Sequence, residues 1–509
     1  MSTANIYILI SIIVYLVLVI AIGIFYAKSN NSTKDFYLGG RTLGPLVTAM
    51  SAEASDMSSW LLMGLPGVAY ACGIADAAWT AIGLAIGTYI NWLIVAKRLR
   101  KYTEIAGDST TIPEFFSKRH RDNRNILSLI AALVIVVFFV PYTASGFSAC
   151  GKLFNSLFEV DYFTAMVISA VVIVIYTTLG GFLAASTSDF MQSIVMTIAL
   201  IVILGFGTVT AGGIDSVIEN AKAIPGYLSL TSMYSDGQAQ NYSLLTIIST
   251  LAWGLGYFGM PHIILRFMAI KDSKKLKLSR RIASVWVVIS LAVAVLIGVI
   301  GNSMSKVGSL DNLSDPETII VEIAKLVSSH GIIAALIAGV ILAGILAATM
   351  STSDSQLLAA SSSVSKDIIT DFFGLKISNK ASIIIARLTV VIISIIAIFI
   401  ARDPDSSVFT IVSFSWAGFG ASFGPVVLFS LFWKRTNKWG ALAGMLGGGI
   451  VVFVWKFLVR PLGGILNIYE LLPAFIVGCI LVVVVSLITP APSKEITDEF
   501  ELAKKATLE

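Results

Sequence analysis

Glu53 and Asp56 stand one helical turn apart in the stretch TAMSAEASDMSSWLLMGLPG, from Thr48 to Gly67, which is otherwise apolar or hydroxylated. An unpaired carboxylate in so apolar a setting is costly, and the default reading of one is functional. Two carboxylates this close repel one another, so a proton could share the site with a metal cation. Otherwise Glu53 faces an aqueous vestibule or pairs with an arginine. Trp253 and Tyr257 are four residues apart, on one face of a helix. They sit in AWGLGYFGMPH, from Ala252 to His262, beside Gly254, Gly256, Gly259 and Pro261. Aromatic side chains there can wall a small pocket. Asp354 follows Ser351 by three residues, so it shares a helical face with Ser351 and neighbours Ser355.

Both stretches belong to long apolar segments. Of 509 residues, 56% are hydrophobic and only 13% charged. A typical globular chain is about 45–50% apolar and about 25% charged. So much apolar surface has to face lipid, which predicts an all-α polytopic membrane protein. A soluble enzyme and a nucleic-acid-binding module are excluded. Runs of about 20 apolar residues fall near 6–27, 44–72, 78–96, 126–150, 162–180, 189–210, 243–270, 282–302, 331–358, 382–401, 408–432, 439–458 and 468–488. These predict about 13 spans in a single domain over 1–490, followed by a short charged tail over 491–509, expected to be mobile. The first run, Ile6 to Ala27, has no preceding basic residue and no small-residue cleavage site, so it reads as a retained helix.

The net charge of +5 reports topology rather than an anionic partner. With thirteen alternating spans, 28 of the 35 lysines and arginines fall on one side, Lys28 and Arg266 counted among them. The positive-inside rule then places the N-terminus outside and the C-terminus in the cytoplasm of a cell-membrane protein. Cys72, Cys150 and Cys479 are scattered, and His120, His262 and His330 form no cluster with them, so neither a disulfide framework nor a cysteine–histidine metal site is indicated. No GxxxxGK[ST] loop is present to cradle a nucleotide, and no catalytic cluster stands out.

Spans 2 and 7 are interrupted at matching places. Each opens a set of five, spans 2–6 and 7–11, and five being odd, the second set is inverted. Interrupted helices at corresponding positions of inverted halves point to a binding site at the membrane midplane, where freed backbone groups can face a solute or ion.

Four blocks carry a resemblance: GGRTLGPLVTAMSAEASDMSSWLLMGLPG (Gly39 to Gly67), WGLGYFGMPHIILRFMA (Trp253 to Ala269), LAATMSTSDSQLL (Leu346 to Leu358) and WAGFGASFGPVVLFSLFWKR (Trp416 to Arg435). With them the chain resembles the sodium/solute symporter family, most nearly its bacterial sodium/proline symporters, across almost its whole length. The resemblance implies a leucine-transporter-type fold of two inverted five-helix repeats. It also implies a transporter, not an enzyme, with L-proline and sodium as its partners beside the lipid bilayer. No cofactor beyond sodium as coupling ion, no nucleic acid and no obligate protein partner are implied.

The resemblance nominates the carbonyls of Ala54, Met57 and Ala348 and the hydroxyls of Ser351 and Thr352 as sodium ligands. It makes Asp56, Ser58 and Arg41 coupling residues, and Tyr142, Trp253, Tyr257 and Pro261 the substrate pocket. A second cation is expected among Asp189, Ser351, Asp354 and Ser355. The sequence departs from the family pattern at Glu53 and Ser59, where relatives usually carry glycine, at Asp354 (usually serine), and at Met260 (often glutamine); Pro141 directly precedes Tyr142. Loss of an amide at Met260 leaves another small solute open as the cargo, and the extra carboxylates leave a proton open as the coupling ion.

Overall fold

The structure is a computed structural model describing residues 2–27 and 32–508. Lys28, counted above on the inner side, lies outside them. The chain is helical: α1 (Thr3–Ala27), α2 (Pro45–Asp56), α3 (Leu65–Cys72), α4 (Ile74–Ile90), α5 (Ile126–Phe158), α6 (Tyr162–Thr210), α7 (Leu244–Leu251), α8 (Pro261–Ala269), α9 (Leu276–Lys306), α10 (Ile332–Ser362), α11 (Asn379–Ile400), α12 (Val408–Phe432), α13 (Lys438–Val454), α14 (Leu471–Ile488) and α15 (Lys494–Leu508). A small hairpin pairs Ser232–Ser235 with Gln238–Asn241.

Among the described residues, ten helices are long and apolar enough to cross a membrane, or eleven when the bent pair Leu244–Phe258 and Pro261–Ala269 counts as one span. Trp60–Cys72 and Tyr162–Thr178 are shorter apolar helices. The chain is therefore a multi-pass membrane protein. Peripheral helices such as α11 turn Ile384, Leu388, Ile392 and Phe399 outward, an apolar face that only lipid satisfies. By contrast α10, from Ile341 to Ser362, is buried throughout.

The interruptions fall where the sequence places them. Helix α2 closes its last turn with the Met57 amide on the Glu53 carbonyl at 2.8 Å. Met57 then leaves helical geometry (ψ 69°), and a π-helical turn over Trp60–Gly64 leads into α3, with Pro66 in its first turn. Proline lacks the N–H that would continue the ladder, so it suits a helix start. In the other interrupted span a 3-10 stretch over Ala252–Phe258 joins α7 to Pro261, the first residue of α8, with a 43° bend. Glycine is required there by contact. A Cβ on Gly256 would lie 1.9 Å from the Trp416 indole nitrogen, and one on Gly87 only 2.3 Å from the Gly254 carbonyl oxygen.

Runs 162–180 and 189–210 are two helices that meet, within α6, at a kink at Gly181 (φ 65°) with no loop between them. The polar stretch near 97–125 carries helices Ala96–Ile105 and Ile112–Arg119. One expectation is corrected. The tail is not free: α15 buries Ile496, Phe500 and Ala503, the Arg98 and Arg119 guanidinium groups lie over the Phe500 ring, and Arg121 pairs with Glu499 at 2.5 Å. An amphipathic face covering neighbouring apolar and cationic surface is more stable docked than solvated.

Candidate functional site

Asp56, the last residue of α2, is fully buried. Its Oδ2 accepts the Tyr257 hydroxyl at 2.5 Å, while Oδ1 has no hydrogen-bond partner. This one bond ties the break of α2 to the 3-10 stretch before α8. The Asp56 carbonyl accepts the Ser58 amide at 2.8 Å and the Trp60 indole N–H at 3.0 Å. The carbonyl freed at the break is thus used locally. Ser58 is buried and its Oγ accepts the Trp60 amide at 3.4 Å.

An aromatic cage surrounds this point. The Trp253 ring lies 6.3 Å from Trp60, 6.2 Å from Trp416 and 5.3 Å from Phe409, and stacks on Tyr469 at 5.1 Å. Tyr257 meets Trp416 edge-on at 5.1 Å. Tyr142, on α5 directly after Pro141, is buried beside Ser58 and Trp60. Pro261 starts α8 with Met260, fully buried, as its N-cap residue. The structure therefore gathers Tyr142 and Tyr257 at Asp56, with Trp253 next to Trp60 and Trp416. A cavity of about 410 Å³, whose wall includes Asp76, Trp253, Phe409, Arg460 and Tyr469, opens on Trp253.

The nominated sodium ligands also meet. Ser351 on α10 donates to the Ala54 carbonyl at 2.7 Å and lies 3.1 Å from the Ala348 carbonyl. Thr352 Oγ1 is 3.2 Å from the Ala348 carbonyl oxygen. Met57 is buried in the adjoining break. Hydroxyls and freed carbonyls with no formal charge are the hard donors that an alkali cation takes.

Glu53 neither faces a vestibule nor meets an arginine. It is fully buried on α2, and its Oε1 accepts Trp92 Nε1 at 2.7 Å and Thr88 Oγ1 at 3.0 Å. Its Oε2 has no partner. Arg41 lies away from the cage. It donates to the Met268 carbonyl near the end of α8 at 2.5 Å, to the Ser109 carbonyl at 2.9 Å and to Asp108 at 3.1 Å. A cation suits a helix C-terminus. Burial opposes ionisation of Asp108, but Lys34 and Arg41 outweigh it and hold the carboxyl below its usual range.

Asp189, Asp354 and Ser355 come together around a residue that the topology count had placed on the inner side, and Ser351 joins only through its carbonyl, which accepts Ser355 Oγ at 2.9 Å. Arg266 lies within α8, 1% exposed. Its Nη2 is 3.1 Å from Asp189 and 2.5 Å from Ser355 Oγ, and its Nε donates to Ser51 Oγ at 3.0 Å. Ser51 in turn donates to Asp189 at 2.6 Å, and Ser355 to Asp354 at 3.2 Å. A guanidinium group thus already stands among these acids.

The family model for the sodium:solute symporter family matches residues 36–448. The chain belongs to that family. Among proteins similar to this symporter are the osmoregulated proline transporter OpuE of Bacillus subtilis, 42% identical over 96% of both chains, and the high-affinity proline transporter PutP of the same organism, 44% identical over 94% of this chain and 98% of that one. A sodium/proline symporter of Staphylococcus aureus is 42% identical over 95% and 93% of the two chains. In fold, this symporter is similar to a sodium-coupled sialic acid symporter in a substrate-bound outward-open state (TM-score 0.80, 18% identity, 97% of this chain and 99% of that one). It is also similar, more distantly, to the nucleobase-cation-symport-1 transporter Mhp1 (TM-score 0.54, 13% identity, 93% and 99%).

Trp60, Trp416, Thr88 and Trp92 escaped the sequence reading as parts of the site. Tryptophans are common in membrane proteins, and nothing in their spacing separates cage from packing. Arg266 did carry a signal: it is the one charge in the run PHIILRFMA, and the cost argument applied to Asp56 holds equally for it.

Proposed function

We propose that the chain is a secondary active transporter that couples sodium entry to L-proline uptake by alternating access. One observation carries this reading. The Tyr257 hydroxyl joins Asp56 across the two interrupted spans at 2.5 Å, inside an aromatic cage and near the Ala54, Ser351 and Ala348 oxygens. Proline needs an apolar wall for its ring and polar groups for its charged ends. Trp253, Tyr142 and Tyr257 supply the wall, while Asp56 and the helix start at Pro261 supply field and hydrogen bonds. Ala54, Met57, Ala348, Ser351 and Thr352 hold sodium, and Ser58 and Arg41 take part in coupling. Relatives named proline transporters support the cargo.

In this reading, pairing α2 with Trp60–Cys72 and counting Tyr162–Thr178 makes thirteen spans, with spans 2–6 and 7–11 as inverted repeats. The N-terminus is outside and the C-terminus lies in the cytoplasm of a plasma-membrane protein. In support, α15 docks on the basic segment that carries Arg98, Arg119 and Arg121. The protein performs no covalent chemistry, needs no organic cofactor and works without an obligate protein partner.

A proton sharing the coupling is a second reading, favoured by Glu53, whose buried Oε2 lacks a partner. Uptake of radiolabelled proline into proteoliposomes, with inward sodium or proton gradients at fixed membrane potential, tests both. Sodium-driven accumulation is the expected result. Accumulation driven only by a pH gradient transfers the coupling role to Glu53, and no accumulation under either gradient removes proline as the cargo.

A further inference from the structure

Apart from the interrupted spans, a cavity of about 290 Å³ opens between the segment after α4 and the beginning of α9. Trp92 and Lys97 contribute from one side, and Lys274, Lys277 and Arg280 from the other, with no carboxylate in the wall. Among the described residues none of these four cations makes a salt bridge. The neighbouring acid, Asp272, is engaged as a cap, accepting the Lys274 amide at 2.9 Å. The Arg280 guanidinium lies over the Tyr89 ring at 5.4 Å, and its Nε is buried with no hydrogen-bond partner. Four like charges around one small cavity repel unless an anion joins them.

The position of the cavity says which anion. Leu93, in its wall, is 47% exposed, and Tyr89 and Leu278 beside it are 45% and 48% exposed. Leu93 and Tyr89 belong to a helix that is apolar over a membrane-spanning length and turns basic from Lys97 onward. The cavity therefore spans the border between hydrocarbon and water, where lysine and arginine meet lipid phosphates.

We propose that this cavity binds the phosphate headgroup of an anionic phospholipid, with Lys97, Lys274, Lys277 and Arg280 as its ligands. Its occupancy bears on transport through Trp92. That indole lines the cavity, donates its N–H to Glu53 at 2.7 Å and packs against Phe267 of α8 at 4.4 Å. A lipid seated there braces α2 and α8 together, next to the carboxylates.

The test uses the full-length protein in detergent, titrated with phosphatidylglycerol or phosphatidylcholine and read by native mass spectrometry. The variant K274Q/K277Q/R280Q is compared with K271Q/K275Q/R281Q, which removes equal charge from exposed residues outside the cavity. At about 1 kcal/mol for each basic residue, the first is expected to lose about 100-fold in phosphatidylglycerol affinity. The second is expected to lose much less, and neither to change for phosphatidylcholine. Equal losses in the two variants would reduce the effect to general surface charge and overturn the proposal. Full displacement of phosphatidylglycerol by millimolar inorganic phosphate would overturn it in favour of a free-anion site. In vesicles, uptake by the wild-type protein is expected to rise with phosphatidylglycerol content and that of the cavity variant to stay flat. Parallel dependence of the two would remove the link through Trp92.

Discussion

Helix α2 serves two buried acidic clusters, and they are neutralised differently. On one face Ser51 reaches Asp189, where Arg266 supplies a fixed cation and Ser355 and Asp354 complete a continuous hydrogen-bonded set. On the other, Glu53 and Asp56 receive only neutral donors: Thr88, Trp92 and Tyr257. One oxygen of each of the four carboxylates lacks a partner, Asp189 Oδ1 and Asp354 Oδ2 included, so the difference lies in the arginine. Removing a carboxylate from water costs several kcal/mol unless charge is matched. The first cluster has a cation of the chain's own, one arginine for its two acids. The second has no cation of the chain's own among the described residues. On the function proposed above, the contrast separates a structural brace from a transport site. It also bears on the second cation expected at Asp189 and Asp354: the arginine already supplies one positive charge there.

The largest effect is expected at the brace. Replacing Arg266 with methionine leaves Asp189 buried without its counter-charge, a loss of about 3–5 kcal/mol. The thermal unfolding midpoint in detergent should fall sharply, and adding Asp189→Asn in the same chain should restore much of it. A single variant that melts like the wild-type protein would show that the two clusters are not distinguished by the arginine. At the other cluster, Asp56→Asn should leave the melting midpoint nearly unchanged and lower sodium-driven uptake about 100-fold, the scale of losing a charged group worth about 3 kcal/mol. A variant that keeps its uptake would take Asp56 out of coupling.

How far the sequence carried differs between these clusters for a physical reason. Asp56 and Tyr257 were legible because helix breakers and an intramembrane charge are local signals, readable from a short window. The fold class was legible because apolar runs of membrane length admit little else. Arg266 was counted only as an inner-side charge because an arginine near the end of an apolar run suits the membrane interface; only the fold brings Asp189, 77 residues earlier, to its guanidinium. The Thr88 and Trp92 contacts to Glu53 were not legible at all, since they depend on the packing of α4 and its continuation against α2. The docked tail escaped notice because its charge pattern suits either a solvated helix or one lying on a basic surface.

Two smaller effects refine the contrast. Tyr257→Phe keeps the ring against Trp416 and removes only the hydroxyl on Asp56. A hydrogen bond to a charged group is worth about 1.5–3 kcal/mol, so uptake should fall roughly tenfold or more. A phenylalanine variant with unchanged sodium and proline dependence would show that the bond between the interrupted spans is dispensable.

Glu53→Gln should have the mildest effect on sodium-driven uptake, because the amide oxygen still accepts from Thr88 and Trp92. The donors stay and only the acceptor changes, which costs about 1 kcal/mol, a few-fold in rate. Its value lies in the pH profile. If Glu53 carries a proton through the cycle, any uptake driven by an inward pH gradient without sodium disappears in the variant while sodium-driven uptake persists. If both variant and wild type respond to pH alike, the proton is not on Glu53. The unpartnered Oε2 is then a buried cost borne for packing, and Asp56 is left as the one acid of this cluster engaged in coupling.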